Sequence, residues 1–171
     1  MKKVSFRNDV LPLKNVLYRL ALRITMNREE AEDAVQETML KVWDKRASWQ
    51  TIDSIENYSM AVCRNVALDM TRRSARGDES LDSATFEPQA SKALSPDEKA
   101  EQRDMLEQVR RIVDSLPEKQ RVCMQLRDFE GKAYKDIAAA LSITEEQVKV
   151  NIYRARQAVK QKFNENAEYG L

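Results

Sequence analysis

The sequence contains no histidine, and only two cysteines, three glycines and four prolines occur among its 171 residues. Without histidine, the chain lacks the commonest protein metal ligand and the usual general base at neutral pH. Cys63 and Cys123 are too few for a disulfide scaffold or a four-ligand zinc site, so they are expected to be free thiols in a reducing compartment. We therefore expect no metal site, no cofactor and no catalytic residue.

Long apolar runs are missing as well. No stretch approaches the roughly 20 apolar residues of a membrane span, and residues 1–9 lack the apolar segment of a secretion signal. Charged residues make up 33% and hydrophobic residues 42% of the chain, which favours a helix-rich globular protein over a turn-rich β-sandwich or a disordered chain. We expect a cytoplasmic protein without membrane insertion, built as one domain or two small ones.

The net charge of +1 comes from 29 basic and 28 acidic residues and hides an uneven distribution. Residues 1–77 carry +4, residues 78–115 carry −5 and residues 116–171 carry +2. Within the last part, residues 147–163 hold five basic side chains and no acidic one. Such a stretch suits phosphate binding, although a solvated basic helix face has the same sequence pattern.

Residues 77–96 differ in composition from the rest of the chain. They are rich in Ser, Asp, Glu and Ala, include two prolines and show no sustained apolar period. This composition predicts an acidic flexible linker between a first domain over residues 1–76 and a second over residues 97–171. The alternative is a partly ordered surface loop that packs through its leucines and phenylalanine.

On both sides of this segment the apolar residues recur with helical periodicity. They repeat at spacings of three and four from Leu13 to Ile24, and Asn27 with Glu30 forms a capping pair before a second helix. A third helix is predicted over residues 55–73, and further helix starts follow at Ser95 and Ser115. No strand-length alternation is visible, so the predicted fold class is all-α with two small helical domains.

The most informative segment lies near the C-terminus. Residues 134–141 predict a short helix, and Thr144 with Gln147 forms a Thr-x-x-Gln cap that starts a second helix after a tight turn. Ala138 and Val148 supply the small residue and the apolar anchor of a helix-turn-helix, whose second helix presents its N-terminal face to a DNA major groove. A plain helical hairpin shares this pattern, but the basic outer face favours DNA binding.

Three segments resemble the conserved regions of bacterial RNA polymerase sigma factors of the extracytoplasmic-function (ECF) group. Residues 17–43 (LYRLALRITMNREEAEDAVQETMLKVW) resemble the start of region 2, and residues 57–73 (NYSMAVCRNVALDMTRR) resemble its remainder. Residues 116–163, with LPEKQR, AYKDIAAALSI and the VKxxxYRAR run, are similar to region 4. The segments follow the family's order and cover nearly everything outside the predicted linker.

The resemblance implies an alternative sigma factor rather than an enzyme. Region 2 would bind the clamp coiled coil of the largest polymerase subunit, and would open and read the −10 promoter element. Region 4 would read the −35 element with its second helix and contact the polymerase flap, while the linker would run toward the RNA exit path. The implied partners are core RNA polymerase, promoter DNA and an anti-sigma factor that covers both regions.

The resemblance also assigns roles within region 2. An exposed mixed face around one apolar residue suits protein docking, and the expected polymerase-binding residues are Asp33, Gln36, Glu37, Leu40 and Lys41. Polar atoms and guanidinium groups on the third helix suit melted bases and phosphates, and Trp49 in the preceding loop offers a ring for stacking, whereas Trp43 and Tyr58 are assigned to the core. The expected −10 residues are Trp49, Arg64, Asn65, Asp69, Arg72 and Arg73.

In region 4 the outer face of the second helix would read the −35 element. An arginine pairs with guanine edges or phosphates, and Val150 suits a thymine methyl group. Arg156 and Lys160 are assigned to the DNA backbone. The expected −35 residues are Lys149, Val150, Tyr153, Arg154, Arg156 and Lys160.

The chain departs from the family pattern at three places. Ser142 stands in the turn where glycine is commonest, although a non-glycine residue tolerates left-handed backbone less well. Glu146 and Gln147 replace a frequent Gly-Thr pair, and an acid there repels phosphate or accepts a hydrogen bond from a cytosine amino group. Tyr58 and Ser59 replace a common Trp-Leu pair, which bears on how the third helix packs.

Two other functions are compatible with parts of the sequence. A freestanding helix-turn-helix regulator would use only the C-terminal unit, and a protein-binding scaffold would not use the DNA-reading residues at all. An enzyme is disfavoured, because the chain has no histidine, no glycine-rich phosphate loop and no paired acids in an evident pocket. The near-neutral net charge predicts weak binding of the free protein to DNA, until polymerase holds its two ends apart.

Overall fold

The computed structural model describes residues 3–77 and 96–168. The predicted linker falls outside these ranges except for its first and last residues. Every regular element within them is helical, which confirms the predicted fold class. The α-helices of the described ranges are α1 (Lys14–Thr25), α2 (Arg28–Asp44), α3 (Ile55–Gly77), α4 (Pro96–Asp114), α5 (Glu118–Met124), α6 (Tyr134–Leu141) and α7 (Glu145–Glu168).

The first unit, residues 3–77, is a bundle of α1, α2 and α3. Short helical turns over Phe6–Val10 and Leu11–Leu13 lead into α1. The predicted cap of α2 is confirmed, because the Asn27 side chain accepts a hydrogen bond of 3.0 Å from the backbone N–H of Glu30. The apolar stripes of the three helices meet in a buried core, to which α1 contributes leucines, α2 alanines and α3 methionine and cysteine: Leu17, Leu20, Ala31, Ala34, Met60 and Cys63.

The second unit, residues 96–168, is built around α7. The N-terminal half of α7 packs against α6, and α4 and α5 pack alongside it. A small core of Val113, Leu116, Met124 and Ala155 joins α4 and α5 to the middle of α7. This packing leaves the opposite face of α7 in solvent.

The two units pack against each other through a continuous core, which the sequence did not predict. Val122 and Leu126 of the second unit belong to the same buried cluster as Leu17 and Met60 of the first, and so does Ile137 of α6. Burial of these side chains on both surfaces removes apolar area from water, which favours the closed arrangement. The described chain is therefore one closed body in which α5 and α6 lie against α1 and α3.

Candidate polymerase and nucleic-acid interfaces

Two local features determine where α7 begins. Ser142 ends α6 with left-handed backbone (φ 55°), and its N–H donates to the carbonyl of Ala138. Gln147 N–H donates to Thr144 Oγ1 over 3.1 Å, and Thr144 N–H donates to Gln147 Oε1 over 2.9 Å. These bonds form the reciprocal capping box that the sequence predicts. Since α6 and α7 are joined by this rigid turn, they form a helix-turn-helix.

The outer face of α7 is exposed and basic. Val148, Ile152 and Ala155 are buried, and the residues on the opposite side of the helix are in solvent. Tyr153 is 65% exposed, and it lines a shallow open groove together with Arg154 and further polar residues of the last turns. Five of the expected −35 residues are fully available on this face: Lys149, Val150, Tyr153, Arg154 and Lys160.

Arg156 differs from the other expected −35 residues because it already has a partner. Its Nη2 and Nε donate to the two carboxylate oxygens of Asp128 over 2.5 and 3.1 Å. The hydrogen bond to Asp128 is the largest cause that raises the pKa of the Arg156 guanidinium. A contact of Arg156 with DNA phosphate would have to replace this ion pair or share it.

The expected −10 residues on α3 fall into two groups. Asn65, Asp69, Arg72 and Arg73 are exposed, and Arg73 forms an ion pair of 2.8 Å with Asp69. Arg64 instead faces the second unit. Its Nε lies 3.9 Å from Oε1 of Glu118, and neither of these buried atoms has a hydrogen-bond partner.

The two tryptophans exchange the positions that sequence reasoning assigned to them. Trp49 is 6% exposed, and its indole N–H donates to the carbonyl of Val42 over 2.9 Å. The expectation of an exposed stacking ring is therefore wrong. Residues Arg46–Thr51 form a 3₁₀-helix instead of the predicted loop, and this compact turn folds Trp49 under the end of α2.

Trp43, which was assigned to the core, is 43% exposed. Its ring meets Phe6 and Trp49 edge-on, with centroid distances of 5.5 and 6.1 Å. The guanidinium of Arg46 lies over it at 4.6 Å. Tyr58 was also assigned to the core, and this prediction is nearer to the structure than that for Trp43: the Tyr58 ring is half-buried against the apolar cluster that contains Trp49.

The expected polymerase-binding face of α2 lies in solvent. Leu40 is 65% exposed, and its neighbours on the helix surface are polar or charged except for Trp43. Lys41 forms an ion pair of 3.5 Å with Glu37, one helical turn earlier. Asp33 and Gln36 extend the face toward the start of the helix, so the five residues form one continuous mixed surface.

A set of polar contacts between the two units escaped the sequence prediction. Arg19 and Arg23 of α1 bind acceptors in the second unit: Glu130 for Arg19, and both Gln125 (2.7 Å) and Asp114 (3.1 Å) for Arg23. Burial lowers the pKa of Arg23, and the nearby Asp114 carboxylate partly offsets this. The partners are about 100 residues apart in sequence, so no local spacing reveals them.

Two further contacts lie along α3. Asn57 Nδ2 donates to Asp136 over 3.0 Å, and Lys132 forms an ion pair with Glu56. Within the ranges that the structure describes, no cluster of cysteine and carboxylate side chains has the makings of a metal site. In the same ranges no helix has the length and apolar character to cross a membrane.

Family models match both units. A model described as Sigma-70 region 2 matches residues 10–77, and one described as Sigma-70, region 4 matches residues 106–159. The ECF RNA polymerase sigma factor SigL of Mycobacterium tuberculosis is 32% identical over 149 residues, which cover 85% of this chain and 81% of SigL. The ECF RNA polymerase sigma factor SigE of Mycolicibacterium smegmatis is 28% identical over 144 residues; the match covers 84% of this chain but only 56% of SigE.

The fold also has a solved counterpart. The sigma factor RpoE of Bartonella quintana, in its complex with the anti-sigma factor NepR, superimposes with a TM-score of 0.74 at 22% sequence identity. The match covers 93% of this chain and 96% of that one, so the fold extends over nearly the whole of both chains. The chain belongs to the ECF family of RNA polymerase sigma factors.

Proposed function

We propose that this chain is an alternative sigma factor that binds core RNA polymerase and directs promoter-specific transcription initiation. The observation that carries the proposal is the exposed basic face of α7, set on a rigid helix-turn-helix in a chain with both sigma regions. The predicted first domain, residues 1–76, acts on the polymerase and the −10 element. The predicted second domain, residues 97–171, acts on the −35 element.

The −35 element is read by the first three turns of α7. Lys149, Val150, Tyr153 and Arg154 are exposed on the face opposite the buried stripe, and the N-terminal half of a recognition helix is the part that reaches base edges. Lys160 lies further along the helix and contacts phosphate. Arg156 contributes to the backbone contacts once its ion pair with Asp128 opens.

The first unit has two separate working surfaces. The α2 face around Leu40 docks on polymerase, since it combines one apolar anchor with a polar rim. The exposed end of α3, with Asn65, Asp69, Arg72 and Arg73, holds the melted −10 strand through phosphates and bases. Arg64 joins this surface only after the second unit has moved away from α3.

The closed packing supplies the regulation. Because α6 packs on α3 and α5 packs on α1, the free chain cannot present both promoter-binding regions in their working arrangement. Polymerase binding to α2 separates the two units and commits the chain to the promoter. An anti-sigma factor, like the NepR partner of the Bartonella relative, would act by holding the closed arrangement. The chain itself performs no bond chemistry, and it works in the cytoplasm beside polymerase.

Reconstituted transcription tests this proposal. Purified chain plus bacterial core polymerase is expected to give start-specific run-off products from members of a genomic promoter pool. Leu40→Asp should abolish these products by preventing assembly with polymerase, and Arg154→Ala should reduce them with assembly intact. Arg103→Ala is the matched control, because Arg103 is an exposed arginine of α4 outside both surfaces. Absence of product from every promoter in the pool would overturn the proposal.

A gel-shift titration separates this function from that of a freestanding regulator. A sigma factor with a closed free form is expected to bind promoter duplex weakly until core polymerase is added. Tight sequence-specific binding by the chain alone would favour the freestanding regulator. Unchanged promoter output in a Lys149→Ala/Arg154→Ala variant would instead show that the basic face does not read DNA.

A further inference from the structure

Glu146 occupies an unusual place for an acidic residue. It lies in the first turn of α7, at the end of the helix that reaches base edges in a helix-turn-helix. Residues three, four and seven positions further on are Lys149, Val150 and Tyr153. With 3.6 residues per turn these side chains share one stripe with Glu146, and all of them are exposed.

The two amide side chains near Glu146 already make hydrogen bonds within the helix and its cap. Gln147 uses its amide oxygen to accept from Thr144 N–H at 2.9 Å, and Asn151 Nδ2 donates to the carbonyl of Gln147 at 2.8 Å. Among the described residues, no cation lies within ion-pair distance of the Glu146 carboxylate. The Glu146 carboxylate is therefore an uncommitted acceptor at the tip of the reading face.

We propose that Glu146 selects a cytosine in the promoter element that α7 reads; this inference rests on the proposed function. A carboxylate only accepts hydrogen bonds, and the donors in the major groove are the amino groups of cytosine and adenine. Adenine presents its N7 acceptor beside that amino group, which opposes the second carboxylate oxygen. Guanine and thymine present acceptors alone at the groove edge they offer, so cytosine is the best partner.

A purely structural role for this acid is the competing explanation. Acids in the first turn stabilise a helix through its dipole, and Glu145 and Glu146 are equivalent in that respect. They differ in direction, because Glu145 lies about 100° around the helix from Glu146, on the side of Lys149 and Arg156, whereas Glu146 lies between the lines of Tyr153 and Val150. Glu145 therefore supplies a control with the same charge and helix end at the edge of the reading stripe instead of its middle.

Selection of promoters from a library tests the inference. Holoenzyme assembled from core polymerase and the full chain would be offered promoters with a randomised upstream element, and the transcribed members sequenced. Wild type is expected to favour cytosine at one position by about fivefold, the low end of the range for a bidentate base contact, because cytosine offers a single amino group. Glu146→Gln should move that position to adenine, because an amide pairs with adenine N6 and N7.

Glu145→Gln should leave the cytosine in place, and both variants should lower the thermal midpoint equally. Identical selected sequences for wild type and Glu146→Gln would overturn the inference while leaving the sigma function standing. Equal changes in both variants would overturn it too, in favour of a general charge effect. If wild-type holoenzyme selects no upstream sequence at all, the proposed function falls and this inference falls with it.

Discussion

The Arg19 guanidinium on α1 holds the Glu130 carboxylate of the second unit through two hydrogen bonds, 2.5 Å from Nε to Oε1 and 2.9 Å from Nη2 to Oε2. The Glu130 side chain is 7% exposed and that of Arg19 48%. Gln125 Nε2 adds a third donor at 3.2 Å. Since one partner is sheltered and the geometry is bidentate, this pair fastens the two units more firmly than a surface ion pair does.

A double-mutant cycle measures the interaction free energy of this pair. Arg19→Ala and Glu130→Gln, singly and together, are expected to give a coupling of about 1 kcal/mol in the free energy of urea unfolding. The internal control is Arg111 with Glu107, an exposed i,i+4 pair within α4, for which about 0.3–0.5 kcal/mol is expected. A coupling no larger than that of the control would contradict a role in holding the units together.

Loosening the contact between the units should raise binding to random duplex DNA. Glu56→Gln/Glu130→Gln removes the carboxylate charges that pair with Lys132 and Arg19, so the closed form weakens and basic groups of both units become free. The affinity of the free protein for duplex at low salt is expected to rise about tenfold, with a steeper salt dependence. Glu29→Gln/Glu32→Gln changes the net charge equally at exposed sites of α2, and it should have a smaller effect. Equal gains in both would mean that charge alone is responsible.

Arg121 links the end of α1 to the turn between α4 and α5. Its Nε donates to the carbonyl of Arg23 over 2.6 Å and its Nη1 to that of Leu116 over 2.9 Å. Burial lowers the pKa of this guanidinium. Arg121→Met should cost about 2–4 kcal/mol of unfolding free energy, since two sheltered carbonyls lose a charged donor. Arg121→Lys should recover only part, because one ammonium lacks the planar fork.

Urea unfolding followed by circular dichroism checks this expectation. Arg103→Met is the comparison, because Arg103 is an exposed arginine of α4 and its loss should stay within about 0.5 kcal/mol. Full recovery by Arg121→Lys would show that the charge matters and the two-carbonyl geometry does not.

Ser142 and Gly131 both have left-handed backbone, and substitutions at these two positions are expected to change stability in opposite directions. Ser142 has φ 55° and Gly131 φ 69°, a region that costs an L-residue roughly 1–2 kcal/mol and glycine little. Ser142→Gly should therefore stabilise the chain by about 0.5 kcal/mol, after the greater freedom of unfolded glycine is deducted. Gly131→Ala should destabilise it by about 1 kcal/mol. A β-carbon at Gly131 would meet no atom within 4 Å, so its cost would be that of the backbone alone.

The thermal unfolding midpoints of the two variants show whether each substitution stabilises or destabilises the chain. The prediction for the turn fails if Ser142→Gly lowers the midpoint, which would mean that the serine hydroxyl contributes more than the backbone costs.

Local patterns predicted the helices well and the distant contacts not at all. The Asn27 cap, the Thr144 capping box and α6 follow from residues within four positions of one another, and each has the predicted geometry. The exposure of Leu40 and Tyr153 follows from helical periodicity. Trp49 was misplaced because its burial depends on a tight 3₁₀ turn, which has no strong sequence signal.

The shared core of the two units lay beyond sequence reasoning for a physical reason. Leu17, Val122 and Ile137 each complete the apolar stripe of their own helix, so periodicity shows that they are buried but not against which unit. The interface polar groups, such as Arg19 and Glu130, read as ordinary surface charges. Their role in joining the two units is visible only in the folded structure, where the two side chains are hydrogen-bonded although they are 111 residues apart in sequence.

The two buried thiols predict how stability depends on alkaline pH. Burial raises the pKa of Cys63 to about 12 and that of Cys123 to about 11, against about 8.5 in an unfolded chain. Between these values the unfolded chain releases thiol protons that the folded chain keeps. Stability from the neutral thiols is therefore complete below pH 8.5 and is lost as the pH rises toward 11–12.

Urea unfolding at pH 7.5 and 9.5 measures how much unfolding free energy is lost when the pH rises. At pH 9.5 each cysteine is expected to have cost about 1.4 kcal/mol of unfolding free energy. A Cys63→Ala/Cys123→Ala variant measured at the same two pH values is the control, so the difference between the two proteins in lost unfolding free energy isolates the thiols. Equal losses in both proteins would contradict the buried neutral state, and so would rapid reaction of the native protein with a thiol reagent at pH 8. In the native protein the two thiols are expected to react only at the rate at which the fold opens and exposes them.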